Sequence, residues 1–261
     1  MAITELGNGA GLVLAAGVAG VVDAVAGGGG LIQLPALFLF LPPADAAVAA
    51  AVLGTNKLSS ICGTGLAAAH YGRRVPLEWS WLAPAAVTAF GFSFLGALSV
   101  MFLRPTLLRP VVLGLLVAVA LYTFLRRDVG ERHAPRMTAG QERWWSVVVG
   151  AGIGFYDGFF GPGTGSFLIF IFVGAFGFDF IAASASAKVI NLATNLAAVV
   201  CFAANGQIFY RFALPMAAAN ALGGLAGARL AILKGNRFVR SFFLVVAVAL
   251  IVRFGWDVWR R

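Results

Sequence analysis

The sequence predicts an all-α polytopic membrane protein built from two inverted-topology repeats of about five hydrophobic segments each. Of its 261 residues, 61% are hydrophobic and only 11% are charged, whereas soluble domains carry about 25% charged residues. Three stretches, 79–103, 158–178 and 189–210, contain no Asp, Glu, Lys or Arg, and each could cross a hydrocarbon layer of about 30 Å as a helix. The two halves of the chain also repeat one order of motifs.

Glycines, prolines and charges divide the apolar sequence into about ten segments. They cover roughly 9–26, 31–41, 45–70, 79–103, 106–125, 144–160, 165–177, 180–204, 212–232 and 238–258. Segments 31–41 and 165–177 are too short to span the bilayer at about 1.5 Å per residue, and each follows a glycine-rich break. Irregular backbone is not tolerated in lipid, so these breaks predict broken or re-entrant helices enclosed by protein. Tight loops at the membrane surface are the alternative.

Equivalent residues recur in the two halves at nearly constant separations along the chain. Asp23 of the first half corresponds to Asp157 of the second, and Lys57 corresponds to Lys188. The order of helix, aspartate, glycine-rich break, short apolar piece and lysine-bearing helix is the same in both halves. The chain is therefore interpreted as two copies of one unit.

We interpret residues 1–125 and 144–261 as two transmembrane repeats, joined by a basic cytoplasmic linker, 126–143. A unit with an odd number of segments inverts the second copy, which is the architecture of many secondary transporters. Connections on the linker side of the predicted membrane carry ten Lys and Arg residues, against six on the other side. The positive-inside rule then places both termini in the periplasm.

Four charged residues are predicted inside the membrane: Asp23, Lys57, Asp157 and Lys188. An unpaired charge near the bilayer centre costs at least about 2.5 kcal/mol, so these side chains must be paired, hydrated or close to an interface. Two structural ion pairs are one interpretation. The other is a cationic face that binds an anion, in which Asp23 or Asp157 could pair with a lysine or carry a coupling proton.

Helical spacing favours the anion-binding interpretation. Lys188, Asn191 and Asn195 lie at i, i+3 and i+7 on one helix face, and the equivalent positions of the first half are also polar. A helix that begins after a glycine-rich break would direct its N–H groups and positive end toward the same anion. The predicted substrate-binding residues are Lys57, Lys188, Gly28, Gly29, Gly30, Thr55, Asn56, Ser60, Gly163, Thr164, Gly165, Asn191 and Asn195, with Thr64, Gln33 and Ser166 as further hydrogen-bonding groups.

Other function classes lack their motifs in this sequence. The net charge of +9 resides mainly in loops rather than in a soluble basic domain, which argues against nucleic-acid binding. The sequence shows no phosphate-binding loop ending in Gly-Lys-Ser/Thr, no catalytic triad and no metal-ligand spacing. We therefore predict neither an enzyme nor a bound cofactor or metal. A cation permease, a membrane-embedded enzyme and an assembly factor are the alternatives.

Two motif runs carry a resemblance to a known family. The first is Asp-Ala-Val-Ala-Gly-Gly-Gly-Gly-Leu-Ile-Gln-Leu-Pro-Ala-Leu from Asp23, with Thr-Asn-Lys-Leu from Thr55. The second is Gly-Phe-Tyr-Asp-Gly-Phe-Phe-Gly-Pro-Gly-Thr-Gly-Ser-Phe from Gly154, followed by Ala187-Lys188. Together they resemble the TauE/SafE family of sulfite exporters over essentially the whole chain. The resemblance implies a multi-pass permease of the bacterial inner membrane.

The same resemblance implies transport of sulfite, sulfoacetate or related organosulfur anions, commonly outward. We therefore expect a secondary transporter in which the two repeats alternate access to a cationic site near the membrane midplane. Its expected partners are a small anion and the lipid bilayer, with proton or sodium coupling both open. A different small anion is the alternative cargo, and no oligomeric state is predicted.

Overall fold

A computed structural model describes residues 2–41, 46–101 and 137–259. The secondary structure within these ranges is helical and contains no strand, which confirms the predicted all-α class. The helices are α1 (Ala2–Ala26), α2 (Gly30–Phe40), α3 (Ala46–Gly72), α4 (Trp79–Met101), α5 (Ala139–Phe159), α6 (Thr164–Ile171), α7 (Phe180–Ala204) and α8 (Tyr210–Trp259). A π-helical turn, Phe172–Phe176, extends α6. The predicted segment 106–125 and residues 126–136 of the predicted linker lie outside the described residues.

Four helices in the described part of the chain are long and apolar enough to cross a membrane. These spans are Gly9–Ala26, Trp79–Val100, Phe180–Ala204 and Tyr210–Phe242. The helices that follow the glycine-rich breaks are much shorter, with 11 residues in α2 and 8 in α6. The chain is thus a polytopic membrane protein that also contains two short apolar helices, one after each glycine-rich break.

Each short helix folds back along the helix before it. The Phe40 ring at the end of α2 lies against Gly11 near the start of α1. The Phe167 ring in α6 packs edge-on against Tyr156 in α5, with 5.4 Å between the ring centroids. The glycine-rich breaks are therefore the tips of two helical hairpins, α1–α2 and α5–α6.

Local signals explain where three helices begin or bend. The Thr138 hydroxyl accepts a hydrogen bond from the Gln141 N–H, and the Gln141 side chain accepts one from the Thr138 N–H. This capping box starts α5 at Ala139, ahead of the predicted start at residue 144. The Asp179 carboxylate caps α7 in a similar way by accepting from two N–H groups. The predicted segments 212–232 and 238–258 correspond to two helices that meet at a kink at Gly235 (φ 76°, ψ −175°), and the label α8 covers both.

The two halves pack against each other through equivalent contacts. Helix α1 packs on α8, and α5 packs on α4. The backbone at Gly20 closely approaches Asn220, and the backbone at Gly154 closely approaches Ala89. Gly20 and Gly154 occupy equivalent positions of the two copies, as do Ala89 and Asn220. Small residues allow helices to approach this closely in a membrane. The matching contacts favour a duplicated unit, and the inversion of the second copy stays a prediction.

Candidate functional site

The two glycine-rich breaks meet inside the protein. The Ser166 N–H donates to the Gly27 carbonyl over 3.2 Å, and the Ser166 hydroxyl donates to the Ala26 carbonyl over 2.7 Å. Gly27 is buried, has a φ of +75° and lies so close to the Gly165 backbone that a Cβ atom would overlap it. The breaks are thus enclosed by protein, as the interpretation as broken or re-entrant helices predicts.

Both lysines that the sequence analysis places in the membrane form ion pairs with aspartates from the opposite half of the chain. The Nζ atom of Lys57 lies 2.8 Å from Asp157 Oδ2, and the Nζ atom of Lys188 lies 2.7 Å from Asp23 Oδ2. Lys188 is fully buried, and the Lys57 side chain is only 3% exposed. Of the two interpretations of these charges, the structure shows the ion pairs. The site is therefore not cationic through its side chains, because each ammonium already has a counter-ion.

A threonine hydroxyl also donates to each paired carboxylate. Thr164 Oγ1 lies 2.6 Å from Asp157 Oδ1, and Thr64 Oγ1 lies 3.3 Å from Asp23 Oδ2. Thr164 Oγ1 has a second acceptor, the Gly161 carbonyl, at 2.7 Å. The single hydroxyl proton of Thr164 can serve only one of these acceptors at a time.

A small polar cavity separates the two ion pairs. Its volume is about 20 Å³, which is room for about one water molecule. Most of the predicted binding residues line it, together with both aspartates. The residues that form this central cavity are Asp23, Gly27, Gly30, Asn56, Lys57, Ser60, Thr64, Asp157, Gly161, Gly163, Gly165, Asn191 and Asn195. Side chains on α3 and α7 thus converge as their helical spacing predicts.

Five predicted binding residues do not line the central cavity: Lys188, Gly28, Gly29, Thr55 and Thr164. Lys188 is directed to Asp23, and Thr164 donates to Asp157 or to Gly161. The Thr55 hydroxyl donates to the Ala51 carbonyl and accepts from the Phe209 N–H, so it connects α3 to the α7–α8 loop. Lys188, Thr164 and Thr55 thus form hydrogen bonds with groups around the cavity and do not line it themselves.

The starts of α2 and α6 lie at the central cavity, as predicted, because Gly30, Gly163 and Gly165 line it. Neither helix has a side-chain cap. However, the Ser166 N–H already donates to the Gly27 carbonyl. The two helix ends thus contribute partial positive charge, while part of their hydrogen-bonding capacity holds the two hairpins together.

Two buried amides organise the first half of the site. Gln33 on α2 accepts from the Asn220 amide over 2.8 Å and from the Ser59 hydroxyl over 3.3 Å. Its own amide donates to the Asn56 carbonyl over 3.2 Å. The sequence analysis includes Gln33 as a possible ligand contact but does not include Asn220. Asn220 could have been identified as an isolated amide in an otherwise apolar helix, because such side chains form hydrogen bonds between helices in membranes.

A second, larger cavity opens at one end of the helices. This end cavity has a volume of about 430 Å³, and its charged lining residues are Arg74, Glu78, Glu142 and Asp179. Trp81 also lines it and packs against Phe172 and Phe178, with 5.3 and 5.5 Å between ring centroids. The chain from α6 to Asp179 thus runs from the central cavity, past this aromatic cluster, to the end cavity.

Comparisons with known proteins give a consistent result. The family model described as Sulfite exporter TauE/SafE matches residues 12–254. A probable membrane transporter protein of a Sinorhizobium species, ORF9, is 35% identical over 93% of this chain and 90% of its own length. The probable membrane transporter protein YfcA of Escherichia coli K12 is 32% identical over 94% of this chain and 89% of its own length. A probable membrane transporter protein of Haemophilus influenzae is 33% identical over 92% and 91%. No solved structure matches. The chain belongs to the TauE/SafE sulfite exporter family.

Proposed function

We propose that this membrane transporter moves small sulfur-containing anions, such as sulfite, sulfoacetate or other organosulfonates, across the bacterial inner membrane. The observation that carries the proposal is the central cavity, where residues from both halves surround two buried Lys–Asp pairs. An intramembrane ionisable residue marks a substrate or ion pathway more often than a purely structural contact. Two such residues at equivalent positions of both halves strengthen that inference.

The size of the central cavity supports alternating access. At about 20 Å³ it holds about one water molecule and no sulfonate. The site is therefore too narrow for a substrate in the described conformation, and substrate binding requires the two halves to separate. The glycine tips offer such a division, because the contacts at the cavity join one hairpin from each half.

Flux measurements test this proposal. Purified protein reconstituted in liposomes should take up labelled methanesulfonate, and unlabelled sulfite or sulfoacetate should compete. The Lys57→Gln/Asp157→Asn double variant, which removes one ion pair without leaving a lone charge, should lose at least about tenfold in uptake. A Ser99→Ala variant serves as the control, because Ser99 does not line the central cavity and its hydroxyl donates within its own helix, to the carbonyl of Leu95.

The alternatives predict different fluxes. Uptake of a metal cation without any anion would indicate a cation permease. Chemical turnover of the anion without its movement would indicate a membrane-embedded enzyme. Either result would contradict the proposed function, as would methanesulfonate uptake that the double variant leaves unchanged.

A further inference from the structure

The two ion pairs balance the charges at the central cavity. The carboxylates of Asp23 and Asp157 and the ammonium of Lys57 line the cavity, and Lys188 neutralises Asp23 from outside the lining. Among the described residues, no other charged side chain lines it. A monoanion that entered this cavity would add a buried net charge of −1 beside two carboxylates. Like-charge repulsion and loss of hydration both oppose that state. An anion therefore needs a compensating positive charge.

The geometry around Asp157 provides a place for that charge. When Asp157 is ionised, the Thr164 hydroxyl donates to its Oδ1 atom at 2.6 Å. When Asp157 is protonated, the same hydroxyl can rotate toward the Gly161 carbonyl at 2.7 Å and accept the carboxylic proton. Asp157 therefore has a hydrogen-bonding arrangement for each protonation state.

The equivalent carboxylate in the first half lacks this arrangement. Thr64 donates to Asp23 over a longer distance, 3.3 Å, and no second acceptor for its hydroxyl occurs in the described part of the chain. Asp157 is also more enclosed, since its side chain is 2% exposed against 14% for Asp23. The proton site is thus expected in the second half.

Charged and titratable groups surround Asp157 on several helices. Lys57 of α3 is its ion-pair partner, and Asp23 of α1, itself paired with Lys188 of α7, lines the same cavity. Tyr156 is adjacent on α5, but its hydroxyl donates to the Pro162 carbonyl over 2.6 Å. The only nearby cation that protonation of Asp157 would release, among the described residues, is Lys57.

We propose that the anion binds by counter-ion exchange: a proton from solution adds to Asp157, and the anion replaces the Asp157 carboxylate on the Lys57 ammonium. Thr164 is a positioning residue that accepts the Asp157 proton while donating to Gly161. The charge of the cavity stays at zero, and one proton accompanies each monoanion. This inference rests on the proposed function and specifies its coupling ion. Transport of a monoanion is then electroneutral.

Calorimetry on the full chain in detergent tests the exchange. Methanesulfonate stays singly charged near neutral pH, so any proton taken up must bind to the protein. Titrations in two buffers with different ionisation enthalpies should report about one proton per methanesulfonate. The apparent Kd should rise about tenfold per pH unit while Asp157 is ionised. Tight binding without proton uptake would overturn the exchange and leave the proposed function intact. No binding at any pH would overturn both.

Two threonine variants assign the proton to Asp157. Thr164→Val should weaken methanesulfonate binding at pH 6 by about tenfold and lower the proton uptake, whereas Thr164→Ser should retain both. A Thr88→Val variant, which removes a hydroxyl that donates to the Pro84 carbonyl within α4, should behave like the wild type. Loss of proton uptake in Thr64→Val but not in Thr164→Val would overturn the assignment to Asp157, as would a wild-type pH profile in Thr164→Val.

Discussion

At the residue scale, the unusual feature is a set of four charges, each of which has its partner in the other half of the sequence. Three of them are buried, and Asp23 is partly exposed. A lone charge inside the membrane is costly, but a hydrogen-bonded pair offsets much of that cost. The spacing of the motifs identified all four residues. It did not determine which aspartate pairs with which lysine, because that choice depends on how α1 and α5 pack against helices of the other half.

The ion pairs predict an asymmetry between single and double variants. Lys57→Met should lower the free energy of unfolding by about 3–5 kcal/mol, because it leaves the buried Asp157 carboxylate uncompensated. Lys57→Met combined with Asp157→Leu should recover most of that loss. Thermal unfolding in detergent measures both effects.

The repeat-related pair provides the matched control. Lys188→Met and the double variant Lys188→Met/Asp23→Leu should show the same pattern. If each double variant were as unstable as its single variant, the lysines would contribute through packing and not through their charge.

At the scale of the elements, glycine determines how the two hairpin tips fit together. Gly27 and Gly161 both have positive φ values, +75° and +91°. A Cβ atom on Gly161 would also lie 2.6 Å from the Lys57 ammonium. The glycine runs and the short segments after them predicted two broken helices that converge on one site. The hydrogen bonds from Ser166 to the Ala26 and Gly27 carbonyls could not be predicted, since they arise only when the two hairpins meet.

Substitution at the hairpin tip tests this contact. Gly27→Ala should severely reduce the yield of folded protein, because its methyl group would overlap the backbone of Gly165 and Ser166 and its φ is unfavourable for alanine. Gly152→Ala in α5 is the control, because a Cβ atom there meets nothing within 4 Å. It should keep or slightly raise the melting temperature. Monodisperse, fully stable Gly27→Ala protein would show that the tips do not pack as described.

Local sequence signals determine where some helices begin and where they are interrupted. The Thr138 and Gln141 capping box was readable from the sequence and accounts for the early start of α5. The structure confirms the two predicted segments on either side of Gly235, because two helices meet there at a kink (φ 76°, ψ −175°). The connection is shorter than the loop predicted near 233–240, and hydropathy alone does not distinguish a kink from a loop.

At the scale of the whole molecule, the halves interlock. Helix α1 packs mainly on α8 of the other half, and α5 packs mainly on α4. Because each of these helix pairs joins the two halves, which we call an exchange of partners, the glycine tips and both ion pairs meet at one central point. The sequence predicted the duplication and the membrane class. The exchange of partners was not predictable, because small residues permit close helix packing on many faces and do not specify the partner.

The predicted topology can be tested with reporter fusions. A reporter that is active only in the periplasm should be active when fused after Arg261, and a cytoplasmic reporter should be active when inserted in the linker 126–143. The excess of Lys and Arg on the linker side is the physical reason. The opposite pattern of activities would invert the orientation, and reporter activity on the same side for the linker and the C-terminus would contradict the inverted repeat.

The most direct test is the position of a bound anion. Bromomethanesulfonate carries a single negative charge, and its bromine gives an anomalous diffraction signal. In crystals grown at pH 6, we expect an anomalous peak in an enlarged central cavity, with the sulfonate on the Lys57 ammonium and Asp157 displaced from it. A peak confined to the end cavity, with the Lys57–Asp157 pair intact at 2.8 Å, would contradict a substrate site at the meeting point of the two hairpins.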